Sequence, residues 1–408
     1  MNTNLFKTAF AALALLVAFN SCKEKEETKY LVTVTYDPEQ GTVTGGGEYE
    51  EGEKATITAI ANPGYCFDRW VGYTSKDSVI TIAVTADKSY TAIFSKIESS
   101  EYGIVKITIS DNGGYYLYEA KPNENCYFVK WSDGSYELSK NYVLTGETLT
   151  ATFKPYPEGS IHALFFVSPT KRVIFSKGYL QFNPTLGTHT RADGTTAPGT
   201  WRFAEQQTDF IETDSIVSAT YNGWIDDFAW GTSGWSGSGA TYYQPYDGYN
   251  SDGLSEIPDS VGKLFGPQGE YALTGDYAYA DWGVYNPISN GGNKPGMWRT
   301  LSRDEFKSFL HTYYNKKYFR WLNGFVFYSD NYPLKDNEVI DTENDLSNYN
   351  NLVYLNNLIY KEHWTANNCD EFYADAVGVS TMLLPSAMPY AYPRFSRLPV
   401  RLVTDVEE

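Results

Sequence analysis

The sequence predicts a β-rich protein, α+β overall, in which two small β modules precede a larger α+β domain with long ordered loops. Three observations support this prediction. Apolar and polar residues alternate with a period of two in the first 150 residues, a segment of about sixty residues recurs there, and 14 of the 34 glycines fall between positions 231 and 300. Alternation is typical of half-buried strands, and dense glycine is typical of loops. With ~100–200 residues per domain, the 408 residues are enough for two to four domains.

Composition limits the classes of function. The chain has 32 basic and 50 acidic residues and a net charge of −18. A nucleic-acid backbone would be repelled, so we expect no nucleic-acid partner. Aromatic residues make up 16% of the chain, whereas methionine and histidine number four each. Aromatic side chains must therefore fill much of the core and form much of any binding surface.

The amino terminus has the features of an export signal. Lys7 precedes an apolar run from Ala9 to Phe19. That run is too short to cross a bilayer, which needs about 20 apolar residues. A basic start and a short apolar stretch predict a secretory signal peptide over residues 1–21.

The residues that follow predict a lipid anchor. Ser21-Cys22 resembles a bacterial lipobox, which implies that Cys22 is lipidated and that residues 22–29 form a tether. Lys23 and the acidic residues after it resemble the surface-export signal of Bacteroidetes lipoproteins. This resemblance implies an outer-membrane protein that faces outward, with the membrane as a partner through the lipid anchor. The alternative is an ordinary signal peptide in which Cys22 is a chance thiol.

Four alternating stretches predict the strands of a first β module at residues 30–96. They run from Tyr30 to Tyr36, from Ala55 to Ala61, from Ile80 to Val84 and from Tyr90 to Phe94. All four are rich in β-branched and aromatic residues, as strands are. Glycine and Asn-Pro-Gly turn signals separate them.

The segment recurs in a degenerate second module at residues 101–154. The stretch that ends at Trp70 matches the stretch that ends at Trp131, at an offset of 131 − 70 = 61. A repeat of this length predicts an array of small modules. We expect the two tryptophans to fill the module cores, and a sugar-stacking role is the alternative. Cys66 and Cys126 lie in separate modules, so we expect no disulfide between them.

Several motifs of the first module carry a family resemblance. Gly41-Thr42-Val43, Asn62-Pro63-Gly64 and Phe67 with Trp70 resemble the divergent internalin-type B repeat, also called the bacterial repeat domain. The resemblance is good over residues 30–95 and poor over the second module. It implies a small β-rich spacer of surface proteins and brings no catalytic residues.

The sequence pattern changes after the repeats, and a new domain is predicted there. A linker is predicted at residues 155–160, a C-terminal domain at 161–403 and an acidic tail at 404–408. Ser302 and Glu305 form a capping box ahead of helical spacing that extends to Tyr313. A second helix is predicted from Thr365, with Cys369 on its apolar face as a core thiol. Strands are predicted at 163–167, 172–176, 377–384 and 399–403.

Motifs along this domain resemble a recurrent domain of Bacteroidetes surface lipoproteins. They include Thr200-Trp201-Arg202-Phe203 and Asp281-Trp282-Gly283. The Trp298-Arg299-Thr300-Leu301 motif and the Val400-Arg401-Leu402 ending also resemble the formylglycine-generating-enzyme type of C-type-lectin-like fold. These resemblances imply a lectin-like domain. The oxidase relatives of that fold use cysteines, and because Cys369 stands alone we do not expect their activity here.

No motif predicts a catalytic centre, a cofactor or a metal site. The four histidines are scattered without metal-ligand spacing. Asp226-Asp227 could contribute to a Ca²⁺ site, but a polar turn is the favoured interpretation. We therefore expect a protein that is not an enzyme and that carries no cofactor.

The glycine-rich loops contain the predicted ligand-binding residues. Sugar rings stack on flat aromatic faces with polar edges, such as those of tryptophan and tyrosine. The predicted ligand-binding residues are Trp224, Trp230, Trp235, Tyr242 and Tyr246, with Tyr243 and Tyr249 beside them. The alternative is that these aromatic residues pack inside the loops.

Three functions fit the sequence, in order of preference. The first is a cell-surface lipoprotein whose β modules present the C-terminal domain to a host or dietary glycan or to a surface protein. The second is a structural or assembly protein of the surface, without a small ligand. The third is a glycan hydrolase, which would need two carboxylates ~5–9 Å apart across a cleft.

Overall fold

The protein is β-rich, with three helices among the residues that the structure describes. A computed structural model describes residues 28–110, 114–143, 149–211, 217–236, 244–246, 272–314, 318–321, 324–329, 352–356, 363–368, 373–379, 387–393 and 397–406. The chain divides between Lys154 and Pro155 into an N-terminal unit and a C-terminal unit. Among the described residues, no helix is long and apolar enough to cross a membrane.

Twelve strands build the described part of the N-terminal unit. All four predicted strands of the first repeat are present, with ends that shift by a few residues. The strands are β1 (Lys29–Thr35), β2 (Gly41–Thr44), β3 (Gly47–Glu50), β4 (Lys54–Ala61), β5 (Tyr65–Val71), β6 (Val79–Ala83), β7 (Lys88–Ser99), β8 (Gly103–Ile109), β9 (Tyr116–Pro122), β10 (Cys126–Trp131), β11 (Ser139–Tyr142) and β12 (Ala151–Pro155).

One long strand joins the two repeats into a continuous sheet. The first half of β7 pairs parallel with β1, at Val32 opposite Lys88, and its second half pairs antiparallel with β8, at Lys96 opposite Ile107. The resulting order is β11-β9-β8-β7-β1-β3, with β5 also on β7, while β2-β4-β6 and β10-β12 form smaller sheets. The backbone of the two modules is therefore shared along β7.

Each repeat nevertheless has its own core. Trp70 packs with the inward residues of the first repeat, among them Ile57 and Phe94. Trp131 packs with Tyr118 and other residues of the second. Both indoles are almost completely buried. The core interpretation of both tryptophans is therefore correct.

The C-terminal unit consists of short strands and three helices in its described part. The strands are β13 (Phe165–Phe166), β14 (Arg172–Phe175), β15 (Leu180–Thr190), β16 (Thr196–Phe203), β17 (Asp227–Phe228), β18 (Arg299–Thr300), β19 (Tyr318–Trp321), β20 (Gly324–Tyr328), β21 (Leu352–Asn356), β22 (His363–Asn368), β23 (Tyr373–Val379), β24 (Ala387–Pro393), β25 (Leu398–Pro399) and β26 (Leu402–Asp405). The helices are a 3₁₀ helix (Gly275–Ala280), α1 (Trp282–Tyr285) and α2 (Arg303–Tyr314).

These strands form several small sheets. The orders are β13-β14-β26-β18, β15-β16, β17-β25, β19-β20-β21 and β22-β23-β24. Two apolar clusters hold the unit together. One is rich in tryptophan and surrounds Trp201, Trp230 and Trp282. The other packs α2 against β13 and β14.

The predicted helix after Ser302 is confirmed as α2. The backbone N–H of Glu305 donates to Oγ of Ser302 at 3.2 Å, and Ser302 N–H donates to Oε2 of Glu305 at 2.9 Å. This is the reciprocal pair of a capping box. Phe309 and Tyr313 of the apolar face pack against Phe165.

The predicted helix from Thr365 is wrong. Residues 363–368 and 373–379 form β22 and β23, with Trp364 opposite Ala376, and β23 pairs along its length with β24. The spacing of a short apolar stretch fits a helix and a strand equally well. Here the antiparallel pairing with neighbouring strands stabilises the extended conformation. The predicted core thiol Cys369 lies outside the described residues. The predicted strand at 377–384 overlaps only the end of β23, and residues 380–386 also lie outside the described part.

Three further boundaries differ from the expectation. The predicted linker at 155–160 bonds into the C-terminal unit, since Lys177 N–H donates to the carbonyl of Gly159 at 2.7 Å. The predicted closing strand at 399–403 is split between β25 and β26. Asp405, expected in an acidic tail, is the last residue of β26.

Candidate functional site

The predicted ligand-binding residues lie in different environments. Trp230 has 0% exposed surface and belongs to the tryptophan-rich core, so it offers no face to a ligand. Trp235 and Tyr246 are half-buried and pack on the outside of the same core. Tyr242, like Tyr243 and Tyr249, lies outside the described residues, as does the predicted lipidation site Cys22.

The face of Trp224 is covered by an arginine. The guanidinium carbon of Arg202 lies 3.8 Å from the centroid of the indole ring. Arg202 Nε also donates to Oε1 of Gln181 at 2.9 Å, which holds the guanidinium in place. A stacked guanidinium occupies the surface that a sugar ring would need. Trp224 therefore fits a sugar platform less well than Trp235 does.

Trp235 lies in a row of aromatic side chains. Its ring centroid is 6.2 Å from that of Tyr277 and 6.2 Å from that of Tyr279, both in edge-to-face geometry. Tyr279 in turn lies 5.3 Å from Tyr285. We call Tyr277, Trp235, Tyr279 and Tyr285 the aromatic row. Tyr279 is 37% exposed and is the one exposed large aromatic side chain among the described residues of the C-terminal unit.

Two short helices position the row. The 3₁₀ helix carries Tyr277 and Tyr279, and α1 follows directly and ends at Tyr285. The buried carboxylate of Asp281 lies between the helices, where it accepts hydrogen bonds from the N–H groups of Gly283 at 3.0 Å and Thr300 at 2.7 Å. Burial raises the pKa of Asp281. This carboxylate fixes the start of α1 and has a structural role.

Hydrogen bonds tie Trp235 to the helices. Ser233 Oγ donates to the carbonyl of Tyr279 at 2.7 Å, and the backbone N–H of Trp235 donates to Ser233 Oγ at 3.3 Å. Asn286 Nδ2, at the end of α1, donates to the carbonyl of Ser233 at 3.0 Å. The row is therefore held by backbone contacts as well as by ring packing.

The tip of the β15–β16 hairpin brings a cation to the end of the row. Ala192 N–H donates to the carbonyl of Tyr285 at 2.9 Å, which docks the tip on α1. The guanidinium carbon of Arg191 lies 5.4 Å from the ring centroid of Tyr285. Tyr285 Oη donates to Oδ2 of Asp193 at 2.8 Å. Burial and this hydrogen bond raise the pKa of Tyr285, so its hydroxyl remains a donor at neutral pH.

A half-buried histidine supports the same hairpin. His189 Nδ1 lies 2.8 Å from the carbonyl of Gly199, and its Nε2 lies 3.1 Å from Oδ1 of Asn286. Burial is the main cause that lowers the pKa of His189. His189 thus contacts both the hairpin and the segment that holds Trp235, and a neutral imidazole, which carries one N–H, donates to only one of these two oxygens.

The described part of the chain contains no group of three or more histidine, cysteine or acidic side chains placed to hold a metal ion. Asp226, considered above for calcium, is buried, and its Oδ2 accepts a hydrogen bond from the N–H of Ile211 at 2.6 Å. Asp226 follows the bridge residue Ile225 and directly precedes β17, so the favoured interpretation of a polar turn is wrong for this position.

Four residues of this site were not predicted from the sequence. They are Arg191, Tyr277, Tyr279 and Tyr285. A signal existed for the arginine, because Asp193-Gly194 between alternating residues is a strong hairpin signal and places Arg191 at a tip. Tyr277 and Tyr279 lie in the same glycine-rich stretch as Trp235, but more than 40 residues after it, and no local pattern places them beside it.

Comparison with known proteins identifies the first repeat alone. A family model described as a divergent InlB B-repeat domain matches residues 32–98. This match agrees with the expected module at residues 30–96 and with the strands of the first repeat. No curated protein and no solved structure matches the chain. The N-terminal unit therefore begins with a stretch similar to a divergent InlB B-repeat.

Proposed function

We propose that this protein is a non-catalytic, lipid-anchored surface protein whose C-terminal unit binds a glycan through the aromatic row. The repeats act as a β spacer between the membrane and that unit. The resemblance of the C-terminal domain to lectin-like domains of surface lipoproteins supports this function. The InlB-type repeat is consistent with a surface or structural role.

The observation that carries the proposal is the exposed edge of the aromatic row. Tyrosine and tryptophan bind sugars well because each has an apolar face and a polar tip. Trp235, Tyr277 and Tyr279 form such a surface, and Arg191 and Asp193 supply polar groups at its end. Backbone hydrogen bonds hold the row in place, so little conformational entropy would be lost on binding.

A glycan array tests the binding function. The intact protein, the Tyr279→Ala variant and the control Leu186→Ala would be screened against mucin-type, plant and bacterial glycans. Leu186 is 49% exposed in the same unit and lies outside the row. We expect wild type and Leu186→Ala to bind the same glycans and Tyr279→Ala to bind at least ~10-fold more weakly.

Two outcomes would overturn this function. Binding that is equal in all three proteins would place the ligand elsewhere, and no binding to any glycan would favour the structural or assembly role. Near-ultraviolet circular dichroism of each variant checks that its tertiary packing is unchanged.

The anchor has a separate test. If Cys22 is lipidated, Cys22→Ala should release the protein from membranes into the soluble fraction, because two or three acyl chains give stable attachment. Replacement of another cysteine of the chain, Cys66→Ala, is the matched control and should leave the protein membrane-bound. Retention of Cys22→Ala in the membrane would contradict the anchor.

A further inference from the structure

Arg191 is an unusual cation in an acidic protein. Among the described residues, none accepts a hydrogen bond from its guanidinium or forms an ion pair with it, and its Nε is enclosed by protein without a hydrogen-bond partner. Arg202 and Arg299, by contrast, bind Gln181 and Glu305. Acidic residues outnumber basic ones by 50 to 32, so internal partners were available in number. The Nη groups of Arg191 have no acceptor among the described residues and are not enclosed, so they are the donors that a ligand can reach.

The guanidinium is held where a bound sugar would meet it. On one side it lies over the ring of Tyr285. On another it approaches the backbone of Gly234, since a Cβ at that glycine would lie 2.8 Å from Nη2 of Arg191. Gly234 directly precedes Trp235. The guanidinium therefore lies beside Tyr285, at one end of the aromatic row, and beside the residue that precedes Trp235.

The neighbouring carboxylate of Asp193 already accepts hydrogen bonds from other residues. Oδ2 of Asp193 accepts from the hydroxyl of Tyr285, and Oδ1 accepts from the hydroxyl of Thr195 at 2.6 Å and from its N–H at 2.9 Å. The Asp193 side chain remains exposed, and its charge also interacts with that of Arg191, although no hydrogen bond or ion pair joins the two. Its charge is partly compensated by donors other than Arg191, so the arginine remains able to bind an anion.

We propose that the ligand of the aromatic row is an acidic glycan, whose carboxylate or sulfate oxygens accept hydrogen bonds from Arg191 while its rings stack on Tyr279 and Trp235. This inference rests on the proposed glycan-binding function and narrows its ligand class. Arginine donors form strong, charge-assisted hydrogen bonds with such oxyanions. The charge would also discriminate between ligands, because a neutral sugar offers no oxyanion to the Nη groups of Arg191 and forms only the weaker neutral hydrogen bonds.

Titration calorimetry of the intact protein tests this inference. The ligands would be an oligogalacturonate, the corresponding neutral galactose oligomer and a sulfated galactose oligomer. The proteins would be wild type, Arg191→Gln, Arg191→Lys and the control Arg202→Gln. We expect an acidic oligomer to bind wild type at least ~10-fold more tightly than the neutral one, with a preference that falls as salt rises.

The variants separate the effect of the positive charge of Arg191 from the effect of its planar guanidinium group. Arg191→Gln should reduce the preference for the acidic oligomer to near parity, Arg191→Lys should recover part of it, and Arg202→Gln should leave it unchanged. Stronger binding of the carboxylated or of the sulfated oligomer identifies which oxyanion is recognised, and either supports the inference.

The failures can be told apart. If neutral oligomers bind as tightly as acidic ones and Tyr279→Ala abolishes binding, the acidic class is wrong and the glycan-binding function stands. If Arg191→Gln keeps the full acidic preference, Arg191 is not the anion-binding group and the inference is overturned. If no oligomer and no array glycan binds, both proposals are overturned.

Discussion

Trp70 and Trp131 occupy equivalent positions in the two repeats of the N-terminal unit. Each indole packs against the phenylalanine three residues before it, with ring centroids 5.2 Å apart in both repeats. Each Nε1 donates to a backbone carbonyl, that of Asp77 at 2.9 Å and that of Glu137 at 2.6 Å. The degenerate second repeat has therefore kept the central packing of the first.

The equivalent core positions of the two tryptophans predict that truncation of either side chain lowers the free energy of unfolding substantially. Trp131→Ala would remove the largest side chain of a small core and leave a cavity, at a cost of about 3–5 kcal/mol. Urea unfolding monitored by circular dichroism would measure the loss. Replacement of the exposed aromatic Tyr115→Ala is the control and should cost less than about 1 kcal/mol. A cost below about 1 kcal/mol for Trp131→Ala would show that the residue is not a core residue.

The shared strand β7 predicts that the two repeats unfold together. Each repeat has a single tryptophan, so Trp70→Phe and Trp131→Phe in a fragment of residues 28–154 leave one reporter in either half. Fluorescence of each variant should give a urea transition that coincides with the transition of its own circular dichroism. Two separated transitions in one variant would show that the repeats are independent despite the continuous sheet.

The ion cluster at Arg299 predicts a loss of stability in acid. Burial alone would raise the pKa of Glu305, but two hydrogen bonds from Arg299, at 2.7 and 2.8 Å, and one from Lys171 lower it to about 2. The folded pKa lies below the usual 4.5, so Glu305 stabilises the fold above pH 4.5 and this stabilisation disappears as pH falls toward 2. The difference corresponds to roughly 3 kcal/mol at most.

A substitution isolates this contribution. The difference in unfolding free energy between wild type and Glu305→Gln should be constant above about pH 5 and should shrink between pH 4.5 and 2. The exposed pair of Lys177 with Glu205, 2.8 Å apart, supplies the control Glu205→Gln, which should change little across that range. A difference between wild type and Glu305→Gln that does not depend on pH would contradict the role of the cluster.

The backbone conformation of Gly234 and its proximity to Arg191 predict that a side chain at this position weakens the binding of an acidic glycan. Its φ of +87° disfavours any side chain, and an added Cβ would lie 2.8 Å from Nη2 of Arg191. Gly234→Ala should therefore destabilise the protein by about 1–2 kcal/mol and weaken acidic-glycan binding. Gly296 has a similar φ of +79° and open space around its Cβ position. Gly296→Ala should cost similar stability and leave binding intact, and equal loss of binding in both variants would refute the link.

The N-terminal repeats were predictable because their signals are local. Alternation from Tyr30 to Tyr36 and the turn at Asn62-Pro63-Gly64 specify strands and their ends from neighbouring residues alone. The capping box at Ser302 specifies α2 in the same way. The parallel pairing of β7 with β1, at Val32 opposite Lys88, joins residues far apart in sequence. No local pattern reveals it.

The helix wrongly predicted from Thr365 and the aromatic row show the same limit. Spacing alone does not separate a short helix from a strand that pairs with β24. Trp230 and Trp235 are five residues apart and look alike in sequence, yet the first is in the core and the second lies on its outer side. Arg191 reaches the row only because the hairpin tip docks on Tyr285. Such contacts depend on the packing of the whole unit.

Saturation-transfer NMR with an oligogalacturonate tests the central claim most directly. If the aromatic row binds a glycan without reacting with it, the sugar-ring protons should receive saturation from the wild-type protein, lose it in Trp235→Ala and Tyr279→Ala, and keep it in Leu186→Ala. The oligomer should also stay intact over a long incubation. Equal transfer in all four proteins, no transfer in any of them, or the appearance of new reducing ends would contradict the account.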